Sequence, residues 1–89
     1  MEGYDLTQYR SKIAQLDDEI IDLLIKRFEL TDEIGIIKKK NNIPIENISV
    51  EKQVLERLTA KSNKKIDNAL VSTIYTEIFN HSKNRQRRI

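Results

Sequence analysis

Apolar residues recur at alternating three- and four-residue intervals along the first half of the chain: Leu6, Tyr9, Ile13, Leu16, Ile20 and Leu23, then Leu30, Ile34 and Ile37. This is the heptad seam of packed helices. No proline and only a late glycine, Gly35, interrupt it, so the pattern predicts one very long helix over Leu6–Lys40. Asp5 can accept a backbone N–H at its start, with Gln8 completing a capping box. Asn41, Asn42 and then Pro44 end it, because proline has no N–H and disfavours helix in the residue before it. At ~1.5 Å rise per residue this helix would run ~52 Å, whereas a compact domain of this chain's size has a radius of gyration of only ~12 Å. A bare seam of that length is a patch soluble monomers avoid, so a second copy of the chain is expected to cover it.

Beyond the polar connector Asn41–Ser49, which carries Ile43, Ile45 and Ile48 as anchors, the periodicity predicts a short helix over about Val50–Lys61. Ser49 is its expected N-cap, and Val54, Leu55 and Leu58 are its apolar face. A third helix of medium length is expected from Asp67 nearly to Ile89, with Asp67 as cap and Ile66 packed on Val71 as a hydrophobic staple. Its stripe is Leu70, Val71, Ile74, Tyr75 and Ile78, and the same spacing carried forward lands on Ser82, Arg85 and Gln86. The expected fold is all-α, a single domain over residues 1–89 with one very long, one short and one medium helix.

Composition narrows the chemistry. The chain has 89 residues, 34% of them charged, and a net charge of +2, which demands neither nucleic acid nor an anionic membrane as partner. With no cysteine and a single histidine, His81, there is no thiolate nucleophile and no cluster to hold zinc, so no metal and no cofactor are expected. No apolar run approaches a membrane span and no signal-peptide pattern follows Met1. A soluble, cytoplasmic chain is the expectation.

Polar residues then stand where the apolar pattern calls for others. Arg27 falls in the seam, and Lys38 lies about three turns on and only ~20° round the helix, so both cations point the same way. Arg10 is rotated by roughly 100° from that face and should address a different neighbour, in a dimer the partner's site. Glu51 opens the second helix beside the connector, and Ser82 and Gln86 share one face of the third at an i, i+4 spacing. Cations, one carboxylate and neutral hydrogen-bonding groups suit a small compound with two or more carboxylates. No nucleophile with its base accompanies them. What remains is a rearrangement, driven by holding a flexible anion in a reactive shape and stabilising developing charge. The plainer readings are that Arg27 pairs with Glu29, Asp32 or Glu33 to set helix register, that Arg10, Lys38 and Glu51 are solvated surface, and that Ser82 and Gln86 mark where the third helix leaves the core.

The ordered set R-x-x-I-x-x-L-D at Arg10 to Asp17, LLIKRFEL at Leu23 to Leu30, EIGIIK at Glu33 to Lys38, IPI at Ile43 to Ile45, VEKQVLERL at Val50 to Leu58, and S-x-x-x-Q at Ser82 and Gln86 resembles the AroQ-type, all-helical chorismate mutases. The resemblance covers nearly the whole chain. It implies an intertwined homodimer of three-helix subunits that turns chorismate into prephenate in aromatic amino-acid biosynthesis, without a cofactor. It further implies that Arg27 binds a substrate carboxylate, that Arg10 reaches across to the other subunit's site, and that Lys38 and Gln86 contact the ether oxygen of the breaking C–O bond. Glu51 would accept a hydrogen bond from the ring hydroxyl with the chain at Asn47 assisting, and Ser82 would lie near a carboxylate. Two positions depart from the pattern. Asn47 stands where the family commonly has Asp, and Val50 where it commonly has Arg, which makes Arg85 a candidate substitute for the missing cation.

Two other functions compete. An isochorismate pyruvate lyase of the same fold would use nearly the same residues. A non-catalytic helical dimer would instead bind nucleic acid through Lys83, Arg85, Arg87 and Arg88, although cations at a helix C-terminus also complement its dipole.

Overall fold

The structure, a computed structural model, describes residues 5–89. Three helices account for most of them: α1 (Leu6–Lys40), α2 (Ile48–Ser62) and α3 (Asn68–Arg87), with no strand among the described residues. Contacts divide the chain into two units, residues 1–30 and 31–89. Among the described residues, the first holds Asp5 and the N-terminal part of α1, and the second holds its last turns together with the connector, α2 and α3.

Within the first unit, the backbone N–H of Gln8 donates to Asp5 Oδ1 at 3.1 Å, the cap expected at the start of α1. At the other end, in the second unit, α1 closes in a Schellman turn. Asn42 takes the left-handed conformation, φ 54°, the Ile43 N–H donates to the Lys38 carbonyl at 2.8 Å, and the Asn42 N–H reaches the Lys39 carbonyl at 3.4 Å. Asparagine tolerates this conformation better than other non-glycine residues. The turn folds the connector back over the last turns of the helix.

Helix α2 begins two residues before the position expected from the sequence. Its N-cap is Asn47, whose side-chain oxygen accepts from the Val50 N–H at 3.1 Å, so Ser49 lies inside the first turn. Both residue types cap well, and spacing alone did not separate them. Asp67 is the N-cap of α3 as expected, but only its carbonyl is engaged, by the N–H groups of Leu70 and Val71, and its side chain makes no capping bond.

The core of the second unit is small. Val71 and Phe79 of α3 are buried, the rings of Tyr75 and Phe79 meet edge to face at 5.9 Å, and Val54, Leu55 and Leu58 of α2 are half-buried. The inward face of α3 thus runs through Val71, Tyr75, Ile78, Phe79, Ser82 and Gln86. Leu70 and Ile74, expected in the same stripe, remain 49% and 46% exposed along its edge. The seam of α1 is likewise open in the single chain: every member from Leu6 to Ile37 is exposed. The residues of α1 with reduced exposure are Leu24, Arg27, Phe28, Thr31, Asp32, Gly35, Ile36 and Lys38, a stripe beside the seam that overlaps it at Arg27.

Candidate active site

The site is built where α3 meets the last turns of α1. Glycine in the middle of a helix costs about 1 kcal/mol relative to alanine, and Gly35 is retained at a close approach. A Cβ placed there would stand 2.7 Å from Gln86 Cγ and 3.0 Å from Gln86 Cβ. Gln86 lies over this gap, 8% exposed, and its Nε2 donates to the Thr31 carbonyl at 2.7 Å. The polar end of the α3 stripe is therefore buried and fixed rather than released to solvent.

About one turn beyond Gly35, the Lys38 ammonium donates to the Ile45 carbonyl at 2.9 Å. The Schellman turn makes this possible, because it returns the connector to Lys38. Lys38 and Gln86 line one cavity of about 370 Å³ with Gly35, Ile43, Ile45 and Ile89, and Lys39, Asn42 and Arg87 line it too. An ammonium has three N–H donors and a glutamine amide two, so each group retains donor capacity beyond its bond to the backbone. A cation and an amide N–H at one partly apolar cavity form an arrangement that stabilises negative charge developing on an oxygen.

Glu51 and Ser82 do not line this cavity. Glu51, in the first turn of α2, is paired through Oε2 with the Lys83 ammonium at 3.0 Å. Ser82 is 5% exposed and its hydroxyl donates to the Ile78 carbonyl of its own helix at 2.9 Å. The Asn47 side-chain oxygen caps α2, and its carbonyl accepts from the Glu51 N–H at 3.1 Å. Of the remaining candidates, Arg10 and Arg27 belong to the first unit, where Arg10 is exposed and Arg27 half-buried.

Arg85 is committed elsewhere. Its Nε and Nη2 donate to the two carboxylate oxygens of Asp32 at 3.0 and 2.6 Å, a fork-to-fork pair. These bonds, opposed by desolvation and helped by the charges of Arg85 and His81, hold the Asp32 carboxyl below its ordinary value. Arg85 opens on a separate hollow of about 460 Å³ with Asp32, Ile36, Arg88 and Ile89. Glu51 is paired instead with Lys83, which the sequence placed only in a basic tail.

Sequence reasoning also passed over Gly35 and Thr31. An interior glycine in an otherwise strong helix pattern was the available signal for the first. The Thr31 carbonyl carries no residue-specific signal, and Lys83 reaches Glu51 only through the packing of α3 on α2.

Comparison with known proteins bears on the whole arrangement. The family model for chorismate mutase type II matches residues 9–87. The chain is 41% identical to the bifunctional chorismate mutase/prephenate dehydratase of Buchnera aphidicola subsp. Schizaphis graminum, over 84% of this chain and 19% of that protein. It is 33% identical to the bifunctional chorismate mutase/prephenate dehydratase of Aquifex aeolicus, over 96% of this chain and 25% of that protein. The chorismate mutase of Methanocaldococcus jannaschii is 26% identical, over 92% of this chain and 84% of that protein. The chain thus spans a quarter or less of the two bifunctional relatives and most of the third.

Proposed function

The chain belongs to the chorismate mutase type II family, and on that premise we propose that it rearranges chorismate to prephenate. The observation that carries the reading is that Lys38 and Gln86 line one cavity. The reaction is intramolecular: one C–O bond breaks as one C–C bond forms, and no atom is gained or lost. The ether oxygen becomes more negative in the transition state than in the substrate, so N–H donors beside it favour the transition state. Lys38 and Gln86 supply those donors.

Arg27 anchors one substrate carboxylate, and Arg10 of the partner subunit holds the other, with Ser82 beside a carboxylate. Glu51 accepts the ring hydroxyl, assisted by the backbone at Asn47. Confining the flexible substrate to its reactive shape supplies the rest of the acceleration. The working unit is an intertwined homodimer of one-domain subunits in the cytoplasm. The exposed seam of α1 supports the dimer, since Leu23 and Leu30 are 63% and 67% exposed in the single chain. No helix among the described residues is long and apolar enough to cross a membrane.

Products test the reading. Purified protein supplied with chorismate and, separately, with isochorismate is expected to yield prephenate from the first. Pyruvate and salicylate from the second, without prephenate from the first, would make it a lyase. Inertness toward both, with DNA binding that weakens steeply with salt, would make it a binding protein.

A further inference from the structure

Lys83 is a lysine whose side chain is only 14% exposed, and long cationic side chains are rarely so covered unless paired. Its ammonium lies 3.0 Å from Glu51 Oε2 and 3.9 Å from Glu46 Oε2, so one cation on α3 faces a carboxylate on α2 and a carboxylate on the connector. The two contacts are unequal. The first is a close ion pair, and the second is at the outer limit of one. The Glu51 side chain is 22% exposed against 49% for Glu46, so the short bond is also the better shielded. Within α2, the residue before Glu51 is Val50, which has no charge to offer. Lys83 also follows Ser82 directly, on the stretch of α3 that ends at Gln86.

We propose that Lys83 is a positioning residue of the reaction: its ammonium fixes Glu51 through Oε2 and turns the other oxygen, Oε1, to the substrate's ring hydroxyl. The inference rests on the role given to Glu51 in the mutase reading. Without the ammonium, a glutamate in the first turn of a helix samples several rotamers, and the hydroxyl loses a fixed acceptor. A carboxylate held by one oxygen keeps its full acceptor capacity at the other. Lys83 thereby acts on turnover without touching the substrate.

The test compares Lys83→Met, Lys83→Arg, Glu51→Gln, the double variant Lys83→Met/Glu51→Gln and Glu46→Gln, each assayed for chorismate consumption and for its melting temperature. Lys83→Met is expected to lose roughly tenfold in kcat/KM, a loss of about 1.4 kcal/mol in transition-state stabilisation. Lys83→Arg should recover most of that loss. The double variant should be no slower than Glu51→Gln alone, because a residue that acts through Glu51 has nothing left to position. Glu46→Gln should stay within about twofold of the wild type. Unchanged kcat/KM in Lys83→Met, losses that multiply in the double variant, or an equal loss in Glu46→Gln would each overturn the assignment, the last by making Lys83 a clip for the connector. The wild-type control separates the two claims: an inactive wild type removes the mutase reading and this inference together, whereas an active wild type with an equally active Lys83→Met variant removes only the inference.

Discussion

Gln86 rests on Gly35 so closely that a single added methyl at residue 35 would meet its side chain at 2.7 Å. The obstructing atoms are Cγ and Cβ, near the root of the side chain, and the amide end is tied to the Thr31 carbonyl. Gln86 cannot yield without leaving that bond. Gly35→Ala therefore sets two effects against each other: a helix-propensity gain of about 1 kcal/mol and an overpacking cost of roughly 1–3 kcal/mol. Stability should change little or fall by up to about 2 kcal/mol, while kcat/KM falls by at least tenfold as Gln86 is displaced. Steady-state kinetics beside a urea melt check this, and full activity would show that Gln86 is not needed where it lies.

Asp32 and Arg85 give a pH signature. The Arg85 hydrogen bonds lower the Asp32 carboxyl in the folded chain. Such a group stabilises the fold above its unfolded pKa, and the contribution is lost as pH falls through the lower, folded value. The difference in melting temperature between wild type and Asp32→Asn should stay constant from about pH 8 to pH 5 and close below about pH 4. A gap that persists into acid would mean the pair contributes nothing through its charge.

Asn47 separates stability from chemistry. Its side chain caps α2, so Asn47→Ala should cost about 1 kcal/mol in a denaturant melt. Asn47→Asp keeps a capping oxygen and should match the wild type. Equal loss in both variants would mean that the amide group, not the cap, matters.

Much of this was legible in the residues. The bounds of α1 followed from its 3,4 apolar spacing and from Asn41, Asn42 and Pro44, because strong local signals coincide there. The α3 period carried through Ser82 to Gln86, and both are buried as an inward face requires. Leu70 and Ile74 looked like core because periodicity reports that a residue is apolar, not which neighbour covers it; both stay largely exposed in the single chain. The α2 start was misjudged by two residues because Asn47 and Ser49 are both good caps. The Lys83–Glu51 and Arg85–Asp32 pairs were not legible, since no local pattern links residues so far apart in sequence.

The proposed dimer makes a prediction that no single-chain effect imitates. If Arg10 serves the partner's site, Arg10→Ala and Lys38→Ala are each nearly inactive alone. Unfolded together and refolded as an equal mixture, they should regain activity approaching about a quarter of the wild type, because half the dimers are mixed and each of those has one complete site. No recovery despite subunit exchange would place Arg10 in its own subunit's site or outside the chemistry. If the exposed seam makes the proposed dimer, wild type should sediment as a dimer and Ile20→Glu, within that seam, as a monomer.

The most direct measurement is the initial rate of chorismate loss, with prephenate identified as product, for the purified wild type and for Lys38→Ala. The wild type should consume chorismate orders of magnitude faster than buffer. Lys38→Ala should lose at least a hundredfold in kcat, the scale of removing one preorganised donor from a developing oxyanion, while its melting temperature stays within a few degrees. A wild type no faster than buffer, or a Lys38→Ala variant that turns over normally, would contradict the assignment of this cavity as a chorismate mutase site.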